Sequence, residues 1–199
     1  MKIRLLAVFC ALALFATSSG SSAQTSKIPG TLAQDLRAFV ETPAVPGYEG
    51  ALAAEIRSRL RALSPRTDNL GDVLVTLGSG SPHRLVVAPM DEPGYVVSRI
   101  TDDGYLQLQR LPQLGVLPLF NEFYAAQPVR IETPSGRWIT GVVAGLSVHL
   151  APGRSHPPDP DDIANMYVDI GAQTGAAARA AGTDVLSPVA IDRTLYEMG

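Results

Sequence analysis

The sequence contains a single cysteine, Cys10, which lies inside an apolar run close to the amino terminus. One cysteine excludes a disulfide scaffold, and the 18 glycines and 16 prolines follow no collagen-like period. There is no excess of basic residues, because 16 Lys and Arg stand against 19 Asp and Glu, for a formal charge of −3. Since nucleic-acid binding needs clustered basic side chains, the composition gives no electrostatic basis for a nucleic-acid partner.

Several familiar catalytic signatures are also missing. The chain has no Gly-x-Ser-x-Gly nucleophile elbow, no P-loop and no dinucleotide-binding fingerprint. These absences exclude the commonest serine hydrolase, nucleotide hydrolase and dehydrogenase patterns as sources of function.

Residues 1–23 have the pattern of a secretory signal peptide. Lys2 and Arg4 precede an apolar run, 5–16, that is too short to remain as a membrane span, and small residues follow at 21–23. We therefore expect export to the periplasm or the medium, with an uncleaved membrane anchor as the alternative. The remaining 176 residues contain no cysteine and no second apolar run of transmembrane length, so no stable membrane span is expected after cleavage.

The first part of the remaining chain, residues 24–91, is predicted to be an α/β unit. Apolar residues recur at helical spacing from Thr31 to Val40 and from Gly50 to Leu63. Short Val/Leu-rich runs at 72–77 and 84–88 then favour strands.

Residues 92–163 are predicted to form an inserted β-rich domain. Strands at 94–100 and 105–110 flank an Asp-Gly turn, and strands at 128–132 and 137–143 flank a second turn. A strand at 166–170 and an Ala-rich helix at 174–181, with Thr174 as its N-cap, follow. They are interpreted as a return of residues 164–199 to the α/β layer. The predicted fold class is therefore α/β, with an inserted β-rich domain.

The residues with the clearest chemical potential are Asp91 and Glu92. They follow the apolar run 84–88, and carboxylates at the carboxyl end of a strand in an open α/β sheet lie where ligands bind. An ordinary acidic turn before Pro93-Gly94 is the alternative.

This segment resembles the signature of metallo-aminopeptidases related to glutamyl aminopeptidase and the cellulase M proteins. Their strand ends in Ala-His-x-Asp-Glu-x-Gly, and residues 88–94 of this chain read Ala-Pro-Met-Asp-Glu-Pro-Gly. The resemblance extends in order over residues 31–199. It is carried by four further segments, 45–49, 69–72, 141–149 and 167–172.

The resemblance implies part of a zinc-peptidase-like α/β layer with an inserted domain, barrel or PDZ-like, that serves oligomerisation. It also implies peptides as substrates and a divalent metal, zinc or cobalt, as cofactor. In the family the histidine is a metal ligand and the following aspartate, here Asp91, orients it.

The chain departs from the family at the metal site, where Pro89 replaces the ligand histidine. The other family ligands and the general-base glutamate belong to a carboxy-terminal half that is not matched before Gly199. We therefore expect no metal site in this chain and no catalysis by it, whether the sequence is a complete protein or a fragment. The alternative is a non-catalytic relative that binds peptides or serves in oligomeric assembly.

Two other regions carry weaker hypotheses. His149 and His156 lie near three aspartates in a Pro/Asp-rich loop. A solvated loop is the default interpretation, as it is for His83, and metal binding is the alternative. The three aspartates are Asp159, Asp161 and Asp162. The apolar run 114–124 is interpreted either as a contact surface for a second subunit or as a buried connection.

Overall fold

The structure is a computed structural model that describes residues 30–112, 119–145, 159 and 161–198. The predicted signal peptide and the two histidines His149 and His156 lie outside these residues. Within the described ranges, no helix is long and apolar enough to cross a membrane.

The amino-terminal part contains two helices and one small sheet. Helix α1 covers Gly30–Glu41 and helix α2 covers Gly50–Arg59, followed by a 3-10 turn at Arg61–Leu63. Strands β1 (Arg66–Thr67) and β2 (Val73–Leu74) pair with each other in antiparallel fashion. The second helix is therefore shorter than expected, and the predicted strand at 72–77 is reduced to two residues.

The rest of the described chain builds a closed six-stranded barrel with the strand order β3-β4-β7-β6-β5-β8. Every neighbouring pair runs antiparallel, and β8 closes the barrel by pairing with both β3 and β5. The strands are β3 (Tyr95–Ile100), β4 (Leu106–Arg110), β5 (Pro128–Glu132), β6 (Trp138–Gly145), β7 (Met166–Asp169) and β8 (Pro188–Ile191). Both predicted hairpins are confirmed. Of the two architectures expected for the β-rich part, barrel or PDZ-like, the structure has the barrel.

The barrel interior forms the main hydrophobic core. Buried and more exposed residues alternate along β4, β5 and β7, as the two-residue period of a strand requires. Val97, Leu106, Val129 and Ile131 are fully buried. Burial of such side chains contributes about 1.5–3 kcal/mol each. The core of this protein therefore lies in the barrel rather than in the amino-terminal part.

Helix α3 (Gly175–Ala180) packs against the barrel, since its buried Ala178 belongs to the same core cluster as the barrel residues. The Thr174 hydroxyl accepts a hydrogen bond from Ala177 N at 3.1 Å, which is the N-cap expected from the sequence. Gly175 packs directly on the β3–β4 turn, since a Cβ there would lie 2.6 Å from the carbonyl oxygen of Thr101. This contact joins the helix to the first hairpin.

Two expectations from the sequence need correction. The boundary expected after residue 163 falls inside the barrel, because β7 and β8 pair with strands of the inserted domain instead of returning to an α/β layer. The run 84–88 forms no strand in the described chain, and Leu85, Val86 and Val87 are 86%, 93% and 77% exposed. The run has the apolar composition of a buried strand, but the described residues supply no strand that pairs with it.

Candidate functional site

Three separated segments meet around one cavity of about 450 Å³. The first is the Pro-Gly turn with the start of α2, the second is the turn at 70–72, and the third is the extended segment 87–91. Three of the motifs that carried the family resemblance therefore lie together in space, although they are far apart in the sequence.

The cavity wall is mixed in chemistry. Its charged side chains are Glu49, Arg57, Asp72 and Asp91, and its apolar wall comes from Leu70, Val87 and Met90 among others. Three carboxylates against one guanidinium favour a cationic group such as an ammonium. Sequence reasoning singled out Asp91 and missed Arg57. No local pattern distinguishes an arginine above a cavity from one in open solvent.

The two adjacent carboxylates separate. Asp91 is exposed and lines the cavity, whereas the side chain of Glu92 is 13% exposed and points into the junction between the helices and the barrel. Glu92 Oε1 accepts a hydrogen bond from Ala44 N at 3.2 Å, and Glu92 N donates to Ala44 O at 2.8 Å. Glu92 Oε2 forms an ion pair with Arg193, just beyond β8. Glu92 is thus a structural residue that fixes the segment carrying Asp91.

The neighbouring contacts make this junction tight. Gly94 packs against Val45, and the Tyr124 hydroxyl donates to the carbonyl oxygen of Pro93 at 2.7 Å. Burial raises the pKa of Tyr124 to about 12, with smaller effects from Arg193 and Glu92. The tyrosine therefore remains a protonated donor throughout the physiological range.

Burial also raises the pKa of Glu92 above its usual 4.5, although the Arg193 guanidinium and the Ala44 amide oppose the shift. The native state therefore binds the Glu92 proton more firmly than the unfolded state does, so the ionisation of Glu92 lowers the free energy of unfolding as the pH rises above about 4.5.

We predict that Glu92→Gln removes this pH dependence. Between pH 4.5 and 7, the free energy of unfolding of the variant should therefore rise relative to that of the original protein. Urea unfolding of both proteins across that range measures the difference. A gain by the original protein instead would contradict this assignment.

The residues at the position where the resemblance implies a metal site do not fit a metal ion. Pro89 is exposed in the cavity wall, and its side chain has no donor atom. Across residues 30–112, 119–145, 159 and 161–198, no group of three or more His, Cys, Asp and Glu side chains could hold a metal ion. His83 is exposed, as expected for a loop residue.

The aspartates of the Pro/Asp-rich loop have structural partners. Asp161 accepts hydrogen bonds from Leu119 N at 3.1 Å and Asn121 N at 2.6 Å, and it thereby holds the 3-10 turn Phe120–Tyr124. Asp162 accepts from Ala164 N at 2.9 Å. These contacts favour a capping role over metal binding, while the histidines of the same hypothesis lie outside the described residues.

The Asp161-bound turn also supplies one buried polar contact of the barrel. Asn121 is 5% exposed, and its side-chain oxygen accepts a hydrogen bond from the Tyr95 hydroxyl at 2.6 Å. Phe123 in the same turn is 70% exposed and Tyr124 is 2% exposed. The predicted run 114–124 is thus mixed at its described end, with one large exposed aromatic side chain available for a contact.

Comparison with known proteins identifies relatives of this chain. The sequence profile of the family described as M42 glutamyl aminopeptidase matches residues 71–199. Lysyl aminopeptidase of Pyrococcus furiosus is 32% identical over 74% of this chain and 42% of its own length. Glutamyl aminopeptidase of Lactococcus lactis is 31% identical over 72% of this chain and 40% of its own length.

Solved structures show the same fold. A TET aminopeptidase from a marine-sediment Thaumarchaeota archaeon matches with a TM-score of 0.74 and 22% identity, over 85% of this chain and 47% of that one. The TET1 peptidase of Pyrococcus horikoshii, described as assembling into a tetrahedron or a large octahedral shell, matches with a TM-score of 0.68 and 25% identity, over 80% of this chain and 46% of that one. The present chain thus spans less than half the length of these relatives.

Proposed function

The chain belongs to the M42 glutamyl aminopeptidase family, and from this premise we propose that it is the amino-terminal portion of an exported aminopeptidase-like protein that is not catalytically competent as this chain. The observation that carries the proposal is Pro89, which stands in the cavity wall where the resemblance calls for a metal-ligating histidine.

Hydrolysis by a two-metal centre needs several ligands that converge on two ions about 3.5–4 Å apart, together with a carboxylate base. A proline side chain offers no lone pair, and Asp91 would orient a ligand that is absent. The described residues supply no replacement cluster. The zinc or cobalt ion implied by the resemblance therefore has no fitting site among the described residues, and we derive no catalytic step through a metal.

The second candidate is a non-catalytic relative that binds peptides. The cavity supports this candidate, because Glu49, Asp72 and Asp91 suit the ammonium group of a peptide and the apolar wall suits a side chain. Arg57 lies in the same wall, and its guanidinium can donate hydrogen bonds to a carbonyl or carboxylate oxygen. Binding of this kind requires no metal.

Self-association through the barrel is a further part of the proposal. Its support is the assembly described for the Pyrococcus horikoshii relative, together with the exposed Phe123 at the surface of the barrel. Export rests on the pattern of residues 1–23. Amino-terminal sequencing of the protein recovered outside the cytoplasm tests it, with Gln24 as the expected first residue.

Metal analysis and an aminoacyl-anilide assay on the purified chain test the central proposal. We expect no stoichiometric metal and no turnover from the original protein. We expect the same from Pro89→His, because one restored histidine leaves the other ligands and the base missing. Pro89→Ala is the matched control for loss of the proline ring, and Lactococcus lactis glutamyl aminopeptidase is the positive control for the assay. Stoichiometric metal with turnover in the original chain or in Pro89→His would contradict the proposal.

A further inference from the structure

The 3-10 turn Phe120–Tyr124 lies between the surface of the barrel and the segment that carries Asp91. Phe123 is exposed at the surface, whereas the next residue, Tyr124, is buried. The Tyr124 hydroxyl donates to the carbonyl oxygen of Pro93 at 2.7 Å, two residues after Asp91. Adjacent side chains of one short turn therefore reach solvent on one side and the segment of the cavity wall on the other.

Both ends of this turn are strained. Leu119 precedes it with φ 63° and Ala126 follows it with φ 60°, in the left-handed region that side chains disfavour. The Asp161 carboxylate fixes the first end by accepting from Leu119 N and Asn121 N. The Ala126 amide fixes the other end by donating to Val143 O at 2.9 Å. Because strained backbone persists only while its surroundings hold it, the loss of a contact at one end changes the conformation of the turn.

Aromatic packing joins the turn to the start of β3. The Tyr124 ring meets the Tyr95 ring edge-on with centroids 4.7 Å apart, and the Phe120 ring lies 5.6 Å away on the same measure. The Tyr95 hydroxyl donates to the side chain of Asn121, within the turn. Since these side chains are closely packed, a movement of the turn displaces the Tyr124 hydroxyl from Pro93 instead of being absorbed locally.

We propose that this turn couples the barrel surface at Phe123 to the order of the segment 91–93, an inference that rests on the function proposed above. The contact at Phe123 is the association with a second copy, and Asp91 is a wall residue of the peptide cavity. Association that covers Phe123 holds the turn in place, so the Tyr124 hydroxyl keeps Pro93 fixed and the Asp91 carboxylate stays in the wall. By reciprocity, a ligand that fixes Asp91 strengthens the association.

Amide hydrogen exchange in the monomeric chain tests the coupling. The reporter is the Glu92 amide, which donates to Ala44 O at 2.8 Å. Asp161→Ala removes the acceptor at the far end of the turn, and it should speed exchange of the Glu92 amide at least about tenfold. Asp162→Ala is the matched control, because that carboxylate accepts from Ala164 N, outside the turn. It should leave the Glu92 rate unchanged.

Tyr124→Phe tests whether the effect passes through the hydroxyl. This variant should itself speed exchange at Glu92, and adding Asp161→Ala to it should cause no further acceleration. The Ala53 amide, bonded within α2, should keep its rate in all these variants. An unchanged Glu92 rate in Asp161→Ala would overturn the proposal. So would an equal acceleration with and without the Tyr124 hydroxyl, or a parallel acceleration at Ala53.

Ala126→Gly tests the same coupling without removing a contact. Glycine adopts the left-handed conformation without the strain that alanine suffers there, so the variant should slow Glu92 exchange about threefold. In the Tyr124→Phe background the slowing should vanish. Slowing that persists there, or none in either background, would overturn the proposal even where Asp161→Ala does not fold.

Association is the second readout. Raising the concentration until sedimentation shows an assembly should slow Glu92 exchange in the original protein, whereas Phe123→Ser should stay monomeric and keep its rate. An assembly that leaves the Glu92 rate unchanged would overturn the proposal. A chain that stays monomeric at every concentration would refute the self-association proposed above, and the exchange of the Asp161 and Tyr124 variants then decides the coupling. Neither readout uses metal, peptide or turnover, so this coupling and the proposal based on Pro89 fail separately.

Discussion

Arg193→Ala is expected to lower the free energy of unfolding by about 2 kcal/mol, because it leaves the buried Glu92 carboxylate without its counter-charge. Apart from this ion pair, Glu92 Oε2 has no hydrogen-bond partner among the described residues. The loss is smaller than the roughly 3–5 kcal/mol of a fully buried pair, since the Arg193 side chain is 37% exposed. Urea unfolding at pH 7 measures it.

The double variant Glu92→Gln with Arg193→Ala should recover most of this loss, because no buried charge then remains. Arg193 is also a group that lowers the Glu92 pKa, so Glu92 becomes protonated more readily in Arg193→Ala. The stability lost in this variant should therefore be smaller in mild acid than at pH 7. Arg179→Ala is the control, since its ion pair with Asp184 is 54% and 59% exposed and is worth about 0–1 kcal/mol. Equal losses in the two arginine variants would show that Glu92 and Arg193 are not coupled.

Gly94→Ala is expected to cost about 3 kcal/mol, at the upper end of what overpacking a core costs. A Cβ at residue 94 would lie 2.1 Å from Val45 Cγ1 and 3.1 Å from the backbone oxygen of Val189. Val45 is 2% exposed, and Val189 belongs to β8, so neither neighbour can move without disturbing the junction or the barrel. Thermal or urea unfolding measures the loss.

Gly50→Ala is the matched control, because a Cβ there meets nothing within 4 Å and the residue begins a helix. It should leave stability unchanged or slightly raised. Adding Val45→Ala to Gly94→Ala removes the closest clashing atom, so the double variant should lose less than the sum of the two single variants. Strict additivity would mean that the junction relaxes around residue 94 and that our account of its tightness is wrong.

Much of the barrel could be predicted from local sequence. The turns at 101–104 and 134–136 fix two hairpins through their short spacing and glycine chemistry, and both are present. The assignment of β7 and β8 to the same barrel could not be predicted, because a short apolar strand carries no mark of which sheet it joins. Only the closure of the barrel by β8 decides that assignment.

Only part of the candidate site could be predicted, because local sequence does not show which distant residues meet. Local pattern located Asp91 and Glu92 together, since both follow an apolar run before Pro93-Gly94. It could not assign their different roles, which depend on Ala44 and Arg193, residues distant in sequence. It also could not place Glu49, Arg57 and Asp72 on one cavity with Asp91.

By itself, then, the sequence determined the hairpins, the helix cap at Thr174 and the resemblance to M42 aminopeptidases. It also placed a proline, Pro89, where that resemblance implies a histidine. These features depend on residue identity and short spacing. Only the tertiary structure decided that six strands close into one barrel and that the Glu92 side chain holds the segment whose Asp91 side chain faces a cavity. It also decided that residues 84–88 have no paired strand within the described part of the chain. Those features depend on contacts between residues far apart along the chain, and no local propensity encodes which distant surfaces will meet.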